Sequence, residues 1–284
     1  MTKHVRVDFY RLDAAIGFDE QLRGIRNLGG EEARNWSFKD GVCRLRVLEE
    51  DGEFMTGDII RIRLNEPAFV AKVSGGERPV LKDEDEGMGE TNAFLYSPST
   101  RYLVFQKNRG GIMASAFGFY VQQMRKLEKG ILFEPVLKAT AVEQLARHTW
   151  ARRLEFGVVV PKLDNESVKG AALNDIIDAA QQLGSYQMKV SFGMGRVRKG
   201  KLAMDRIVAF VKQALALRAG GHEIKKLEVA ASAEAGGHLE VLDFIDATVK
   251  VQCQVEPAPQ MDEFYRRRIE CLRDAWRQRL GDLI

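Results

Sequence analysis

Two runs of the chain alternate apolar residues with arginine, and this period of two is the strongest constraint on the fold. In the first run Cys43, Leu45 and Val47 alternate with two arginines, and residues 60–64 repeat the pattern with isoleucine and leucine. Such alternation predicts strands that have one face in the core and one face in water. The stretch 49–57 between them is polar and contains a glycine, so we expect the two strands to form a hairpin.

If the two strands pair in register, four arginines share one face of the sheet: Arg44, Arg46, Arg61 and Arg63. One interpretation is a cationic surface that is available to a ligand. The other is an ordinary solvated face that is balanced by the acidic residues at 49–51, and the nearness of these acids favours it.

Further strand-like and helix-like segments follow along the chain and predict the α+β class. We expect two mixed α/β domains with antiparallel sheets and a C-terminal amphipathic helix. Pro135 predicts a boundary after 137, and Pro257 and Pro259 predict another after 258, because proline restricts its neighbour to extended backbone. The predicted parts are an N-terminal domain 1–137, a second domain 138–258 and a helix 259–284.

The predicted C-terminal helix carries its apolar residues at intervals of three or four, which places them on one face: Tyr265, Ile269, Leu272, Trp276 and Leu280. Its charges of both signs balance over the remaining surface. We therefore expect a helix that packs onto the protein or forms a dimer contact.

Composition indicates an ordinary globular protein of the cytoplasm. The formal net charge is only +3, so a claim of nucleic-acid binding depends on how the cations are distributed. The three cysteines are Cys43, Cys253 and Cys271; their odd number and wide spacing predict buried thiols in a reducing compartment. The first residues lack an apolar leader, and no apolar run is long enough to span a bilayer.

One short segment, 191–206, concentrates positive charge between a strand-like run at 186–190 and a helix-like run that begins near Leu202. No acidic residue occurs between Asp178 and Asp205. A glycine-containing turn with only positive charges is typical of a contact with a polyanion. We predict that this region binds DNA phosphates through Lys189, Arg196, Arg198, Lys199 and Lys201.

A second acid-free window covers residues 91–127, where two strands and a helix are predicted. Its strand, turn and helix start supply three further candidate DNA contacts, Arg101, Lys107 and Arg109. A helix N-terminus close to Arg109 adds free amides and the positive end of a helix dipole. The aromatic residues of this helix recur at helical spacing, which favours a role in the core.

A nucleotide-binding function is an alternative, because 195–201 matches the phosphate-loop pattern G-x-x-x-x-G-K. The residue that follows should be serine or threonine to hold Mg²⁺, and here it is Leu202. Three of the four intervening residues are cations, whereas small residues are needed for backbone amides to close around a phosphate.

A metal-dependent nuclease is a second enzymatic alternative. It requires acidic ligands on adjacent strands with a lysine nearby. Residues 223–225 spell E-x-K, but no aspartate lies on the preceding strand, and the four histidines stand alone. We therefore expect a non-catalytic protein without cofactor or metal, and a protein-interaction module whose cations are ordinary surface is the remaining alternative.

From about Gly87 to the C-terminus, several short stretches resemble the RexA family of phage exclusion proteins of lambdoid prophages. They match in order and spacing, and they comprise 87–89 with 93–96, 133–140, 153–155 with 160–161, the basic turn that follows 186–190, and 268–272. Residues 1–86 lie outside the resemblance.

The resemblance implies a homodimeric, two-domain protein that binds double-stranded DNA without sequence preference and has an overall likeness to the recombination protein RdgC. It also implies a role in the exclusion of superinfecting phage, alongside a membrane-protein partner of the RexB type. The family's basic run corresponds here to Arg196, Arg198, Lys199 and Lys201.

Overall fold

The structure is a computed structural model that describes residues 3–12, 17–38, 41–64, 69–71, 73–74, 76–80, 86–159, 174–195, 197, 200–219 and 224–282. The predicted α+β class is confirmed: helices pack against antiparallel sheets, and the chain ends in a helix.

The helices are α1 (Phe18–Arg26), α2 (Ala114–Arg125), α3 (Ala139–Arg147), α4 (Asn174–Gln182), α5 (Met204–Ala219) and α6 (Met261–Arg279), with short 3₁₀ turns at Glu32–Arg34 and Leu280–Asp282. The strands are β1 (Lys3–Leu12), β2 (Asn35–Phe38), β3 (Gly41–Glu50), β4 (Met55–Arg63), β5 (Phe69–Ala71), β6 (Glu77–Pro79), β7 (Met88–Ser97), β8 (Tyr102–Lys107), β9 (Phe133–Pro135), β10 (Trp150–Val159), β11 (Gln187–Gly193), β12 (Ile224–Ser232), β13 (Glu240–Asp243) and β14 (Lys250–Val255).

Contacts divide the chain into two compact units that are not continuous along the sequence. The first unit contains Met1–Asp8, Leu12–Ile131 and Lys250–Gln278, and the second contains Phe9–Arg11, Leu132–Val249 and Arg279–Ile284. The division predicted from prolines is continuous and ends at 137 and 258. The strand-like run 239–255 contains two strands, β13 in the second unit and β14 in the first.

The main sheet of the first unit has the strand order β14-β1-β8-β7-β4-β3-β2. The predicted hairpin of β3 and β4 is present, but its register places Arg44 opposite Ile60 and Arg61 opposite Cys43. The four arginines therefore do not share one face, because a register offset of one residue exchanges the two faces of a strand. A bulge between Leu45 and Val47 shifts the pairing once more.

Helices α1 and α2 cover one face of this sheet with an aromatic core. The Phe117 ring of α2 lies 4.8 Å from Phe94 of β7 and 5.8 Å from Phe105 of β8. Phe18 of α1 makes edge contacts with both Phe117 and Tyr96. This arrangement agrees with the expectation that the aromatic residues of 112–127 belong to the core.

Helix α6 covers the opposite face and inserts a buried arginine. Arg268 is 1% exposed, and its two terminal nitrogens lie 2.8 Å and 3.2 Å from the carboxylate oxygens of Asp58, which is 0% exposed. Thr91 and Gln106 accept further hydrogen bonds from Arg268, at 2.8 Å and 3.2 Å. Arg46 of β3 also donates to Asp58. The helix is thus oriented by a charged group that has its partners inside the unit.

A disulfide between Cys253 of β14 and Cys271 of α6 corrects the prediction of three buried thiols. No pairing motif is visible in the sequence, because the two residues become neighbours only when α6 packs beside β14. Cys43 remains a free, buried cysteine.

The second unit has a four-stranded antiparallel sheet in the order β11-β10-β12-β13. Its core lies on the face that packs against α5, where Leu154, Phe156 and Val158 of β10 meet Ile207 and Val211 of the helix. Helix α5 begins at Met204, two residues after the predicted start near Leu202. Within the part of the chain that the structure describes, no helix is long and apolar enough to cross a membrane.

We predict that Asp58→Ala destabilises the first unit by about 3–5 kcal/mol, because it leaves Arg268 buried without its counter-charge. Urea unfolding monitored by tryptophan fluorescence in a Trp150→Phe background reports on this unit, since the other two tryptophans, Trp36 and Trp276, belong to it. The matched control is Asp262→Ala, which removes the exposed partner of Arg46 and should cost at most about 1 kcal/mol. Equal losses for both variants would contradict a structural role for the buried pair.

A thiol assay tests the cysteine arrangement. Burial raises the pKa of the Cys43 thiol to about 12, so the native protein, purified without reductant, should not react with a thiol reagent. One thiol should react after denaturation, and all three should react after denaturation with reduction. Release of three thiols by denaturant alone would show that Cys253 and Cys271 are not bonded.

Candidate nucleic-acid interface

The face of the second unit's sheet that lies opposite α5 collects the cations of three strands. We call it the outer face. Because β10 places Leu154 and Phe156 toward α5, Arg153 and Glu155 lie on the outer face. Gly157 lies opposite Lys189 of β11 and opposite Lys226 of β12, so both lysines extend from the same side.

Ion pairs on the outer face converge on Glu155. The ammonium of Lys226 lies 2.6 Å from this carboxylate and 3.1 Å from that of Glu228. The guanidinium of Arg153 lies 3.3 Å from Glu155, and the ammonium of Lys189 lies 3.9 Å away. The hydrogen bond from Lys226 holds the pKa of Glu155 below its usual value, and the same bond raises the pKa of Lys226.

The cations of this cluster differ in how far they are exposed. The side chains of Lys189 and Arg153 are 61% and 50% exposed, whereas those of Lys226 and Glu155 are 31% and 12% exposed. Lys189 and Arg153 are therefore the two cations that a ligand on the outer face would meet first.

The basic turn after β11 is organised by Arg152. This residue is the extra one at a β-bulge, since Ala151 lies opposite Ala231 and Arg153 lies opposite Ala230. Bulges redirect a side chain away from the alternating pattern. The Arg152 guanidinium donates hydrogen bonds to three backbone carbonyls of the turn, those of Gly195, Val197 and Gly200.

The direction of these hydrogen bonds argues against a phosphate loop. Such a loop points its amides at the anion, whereas here the amides of Val197 and Gly200 donate to the carbonyls of Met194 and Val197. Three carbonyls of the turn, those of Gly195, Val197 and Gly200, are directed at a cation, Arg152. The turn also connects to an antiparallel sheet, whereas the phosphate loop is built on parallel βαβ units.

At the end of the turn, Lys201 lies over the ring of Trp150, with its ammonium 5.3 Å from the ring centre. The Leu202 amide donates to the Ala151 carbonyl at 2.9 Å, which fixes this end of the turn beside the start of β10. Trp150 lies opposite Ser232 and therefore on the outer face. Lys201 thus adds a positive charge next to the Arg153 end of that face.

Two of the five predicted residues of this region, Lys189 and Lys201, are exposed cations of the second unit. The other three, Arg196, Arg198 and Lys199, lie outside the described residues.

The predicted residues Arg101, Lys107 and Arg109 belong to the first unit. Arg101 is partly buried at a turn with a φ of 62°, where its carbonyl accepts from the Leu12 amide. Lys107 and Arg109 are exposed. The segment 91–127 contains no acidic residue, but an acidic residue lies close to it in the fold. Glu90 accepts a hydrogen bond from Asn108 at 2.9 Å, next to Arg109. The candidate residues therefore divide between the two units.

Sequence reasoning missed four residues of the outer face and its turn: Trp150, Arg152, Arg153 and Lys226. The Arg152–Arg153 pair before the alternating run 154–158 was a usable signal, since one extra residue at the start of a strand is typical of a bulge. Lys226 gave no comparable signal, because its position on the outer face depends on the register of β12.

The outer face meets part of the requirement for a metal-dependent nuclease. Glu155 and Glu228 lie opposite each other on adjacent strands, and Lys226 is close to both. The lysine ammonium, however, already bridges the two carboxylates. Among the described residues, no three histidine, cysteine or acidic side chains form a group that could hold a metal ion. Glu223 of the predicted E-x-K match lies outside the described residues.

The model of a family of unknown function, DUF6731, matches residues 26–274, which include most of both units but leave out β1 and nearly all of α1. No curated protein and no solved structure matches the chain.

We predict that Arg152→Met opens the basic turn without unfolding the protein. Charge-assisted hydrogen bonds contribute about 1.5–3 kcal/mol each, so loss of the three bonds should accelerate tryptic cleavage within 196–201 at least about tenfold. Arg153→Met is the matched control, because no hydrogen bond from Arg153 to the described turn carbonyls is present. Equal cleavage rates in the two variants would show that Arg152 does not hold the turn.

Proposed function

This chain belongs to the DUF6731 family, whose function is unknown, and we propose that it is a non-catalytic protein that binds the phosphate backbone of double-stranded DNA without sequence preference. The observation that carries the proposal is the cluster of cations on the outer face and its turn. Lys189 and Arg153 extend from neighbouring strands of one sheet, and Lys201 lies beside them on Trp150.

Rigid placement of these cations favours recognition of a regular polyanion. Strands β10 and β11 are paired over seven residues, from Arg153 opposite Gly193 to Val159 opposite Gln187. Cations held on paired strands lose less conformational entropy on binding than cations on free loops. Backbone contacts supply affinity through the release of counterions, and they carry no sequence information.

The absence of sequence preference follows from the elements that present the cations. Reading of base edges requires a helix or a ribbon that enters a groove. The described cations of the outer face and the turn lie on strand faces and at the end of a turn. We therefore propose that they contact phosphates alone.

The likeness to the RexA family extends this proposal to a biological setting. It supports a cytoplasmic homodimer that acts in the exclusion of superinfecting phage, together with a membrane-protein partner of the RexB type. Expression of the chain in a host that is challenged with phage, with and without the substitutions below, tests this role.

The double variant Arg153→Ala/Lys189→Ala should bind duplex DNA about tenfold more weakly at physiological salt, because two phosphate contacts are lost. The slope of log K against log salt should fall by about 2, since each contact contributes about 0.9. Fluorescence anisotropy with two unrelated duplexes over a salt series measures both quantities and tests sequence independence. The variant Arg196→Ala/Arg198→Ala/Lys199→Ala tests the predicted turn residues in the same assay.

The matched control is Arg147→Ala/Lys212→Ala, which removes two exposed cations from α3 and α5, away from the outer face. It should leave the affinity within about twofold. If both double variants lose the same affinity for DNA, binding depends on net charge in general and not on the outer face. If the unsubstituted protein does not bind duplex DNA at low salt, the proposed function is excluded, and a protein-interaction module remains as the alternative.

A further inference from the structure

Glu155 stands among the cations that the proposed DNA site would use. It lies opposite Ser191 on β11 and opposite Glu228 on β12, in the middle strand of the three. Its oxygens lie within 4 Å of Lys226, Arg153 and Lys189. A carboxylate in this position offers the cations the same kind of oxygen ligand that a phosphate does.

We propose that Glu155 determines the ligand class of the outer face, because it competes with single phosphate groups for Arg153 and Lys189 and yields only to a polyanion. This inference rests on the proposed binding of DNA. A carboxylate that is fixed in the fold acts at a high effective concentration, because no association entropy is lost when it pairs. An isolated phosphate loses association entropy each time it replaces one of these ion pairs.

A polymer differs because its phosphates are linked. One phosphate on Lys201 at the end of the turn brings its neighbours close to Arg153 and Lys189, so the later contacts become intramolecular. The two cations that must change partner are also the two most loosely held. They lie 3.3 Å and 3.9 Å from Glu155, whereas Lys226 lies 2.6 Å from it and keeps Glu228 as a second partner.

The competition persists across the pH range in which the protein would work. The hydrogen bond from Lys226 keeps the pKa of Glu155 below its ordinary value, so the carboxylate remains ionised. The groups that face it from adjacent strands are Lys189, Lys226 and Glu228, and Arg153 faces it from its own strand. Glu155 therefore competes with phosphate groups for Arg153 and Lys189 throughout this pH range.

Glu155→Gln removes the competing charge and keeps the shape of the side chain. We expect duplex DNA to bind about fivefold more tightly at physiological salt, which corresponds to the upper range of exposed ion pairs. We also expect inorganic phosphate to give measurable heat of binding in titration calorimetry with Glu155→Gln and none with the unsubstituted protein.

The matched control is Glu228→Gln, which removes an equal charge from the same face. Glu228 pairs with Lys226 alone among the described cations, so its loss should change the duplex affinity by less than about twofold. The double variant Glu155→Gln/Lys226→Gln leaves the net charge unchanged and should still tighten duplex binding. It serves as the second variant if the single substitution fails to fold.

The outcomes separate the two proposals. If the unsubstituted protein binds duplexes and Glu155→Gln matches Glu228→Gln, the role of Glu155 is excluded and DNA binding stands. If no variant binds duplexes at low salt, the proposed function fails. Absence of inorganic phosphate binding by Glu155→Gln would also overturn the role of Glu155.

Discussion

The bulge at Arg152 is the constraint on which the architecture of the second unit's binding surface depends. One additional residue in β10 lets Ala151 and Leu154 both enter the core, although a regular strand would send them to opposite faces. The two residues between them, Arg152 and Arg153, do not enter the core. Arg152 holds the carbonyls of the basic turn, and Arg153 joins the outer face. A single strand thereby connects the core, the turn and the proposed ligand surface.

The ion pairs of the two units differ in how deeply they are buried. Asp58 and Arg268 are enclosed in the first unit and fix the position of α6. Glu155 and Lys226 lie nearer the surface of the second unit, where solvent screens them and partners are exchanged at smaller cost. The same pairing of carboxylate and cation therefore supports architecture in one unit and proposed recognition in the other. Burial decides between the two roles.

Local periodicity was enough to predict the α+β class, the β3–β4 hairpin and the C-terminal helix, because side-chain alternation and helical spacing are properties of adjacent residues. Register and partner choice depend on residues far apart. The offset that separates Arg44 from Arg61, the bond between Cys253 and Cys271, and the position of Lys226 beside Glu155 follow from tertiary packing. The clustering of cations along 189–201 is visible in the sequence, but the support of this turn by Arg152 is not.

The discontinuous first unit has a consequence for biosynthesis. Asp58 is translated 210 residues before Arg268. At elongation rates of about 5–20 residues per second, Asp58 is synthesised roughly 10–40 s before its counter-charge Arg268. During that interval the segment Leu132–Val249, which forms most of the second unit, is synthesised as one continuous stretch, whereas the earlier strands lack α6 and β14. The face of the main sheet that α6 covers therefore stays uncovered until α6 has been translated.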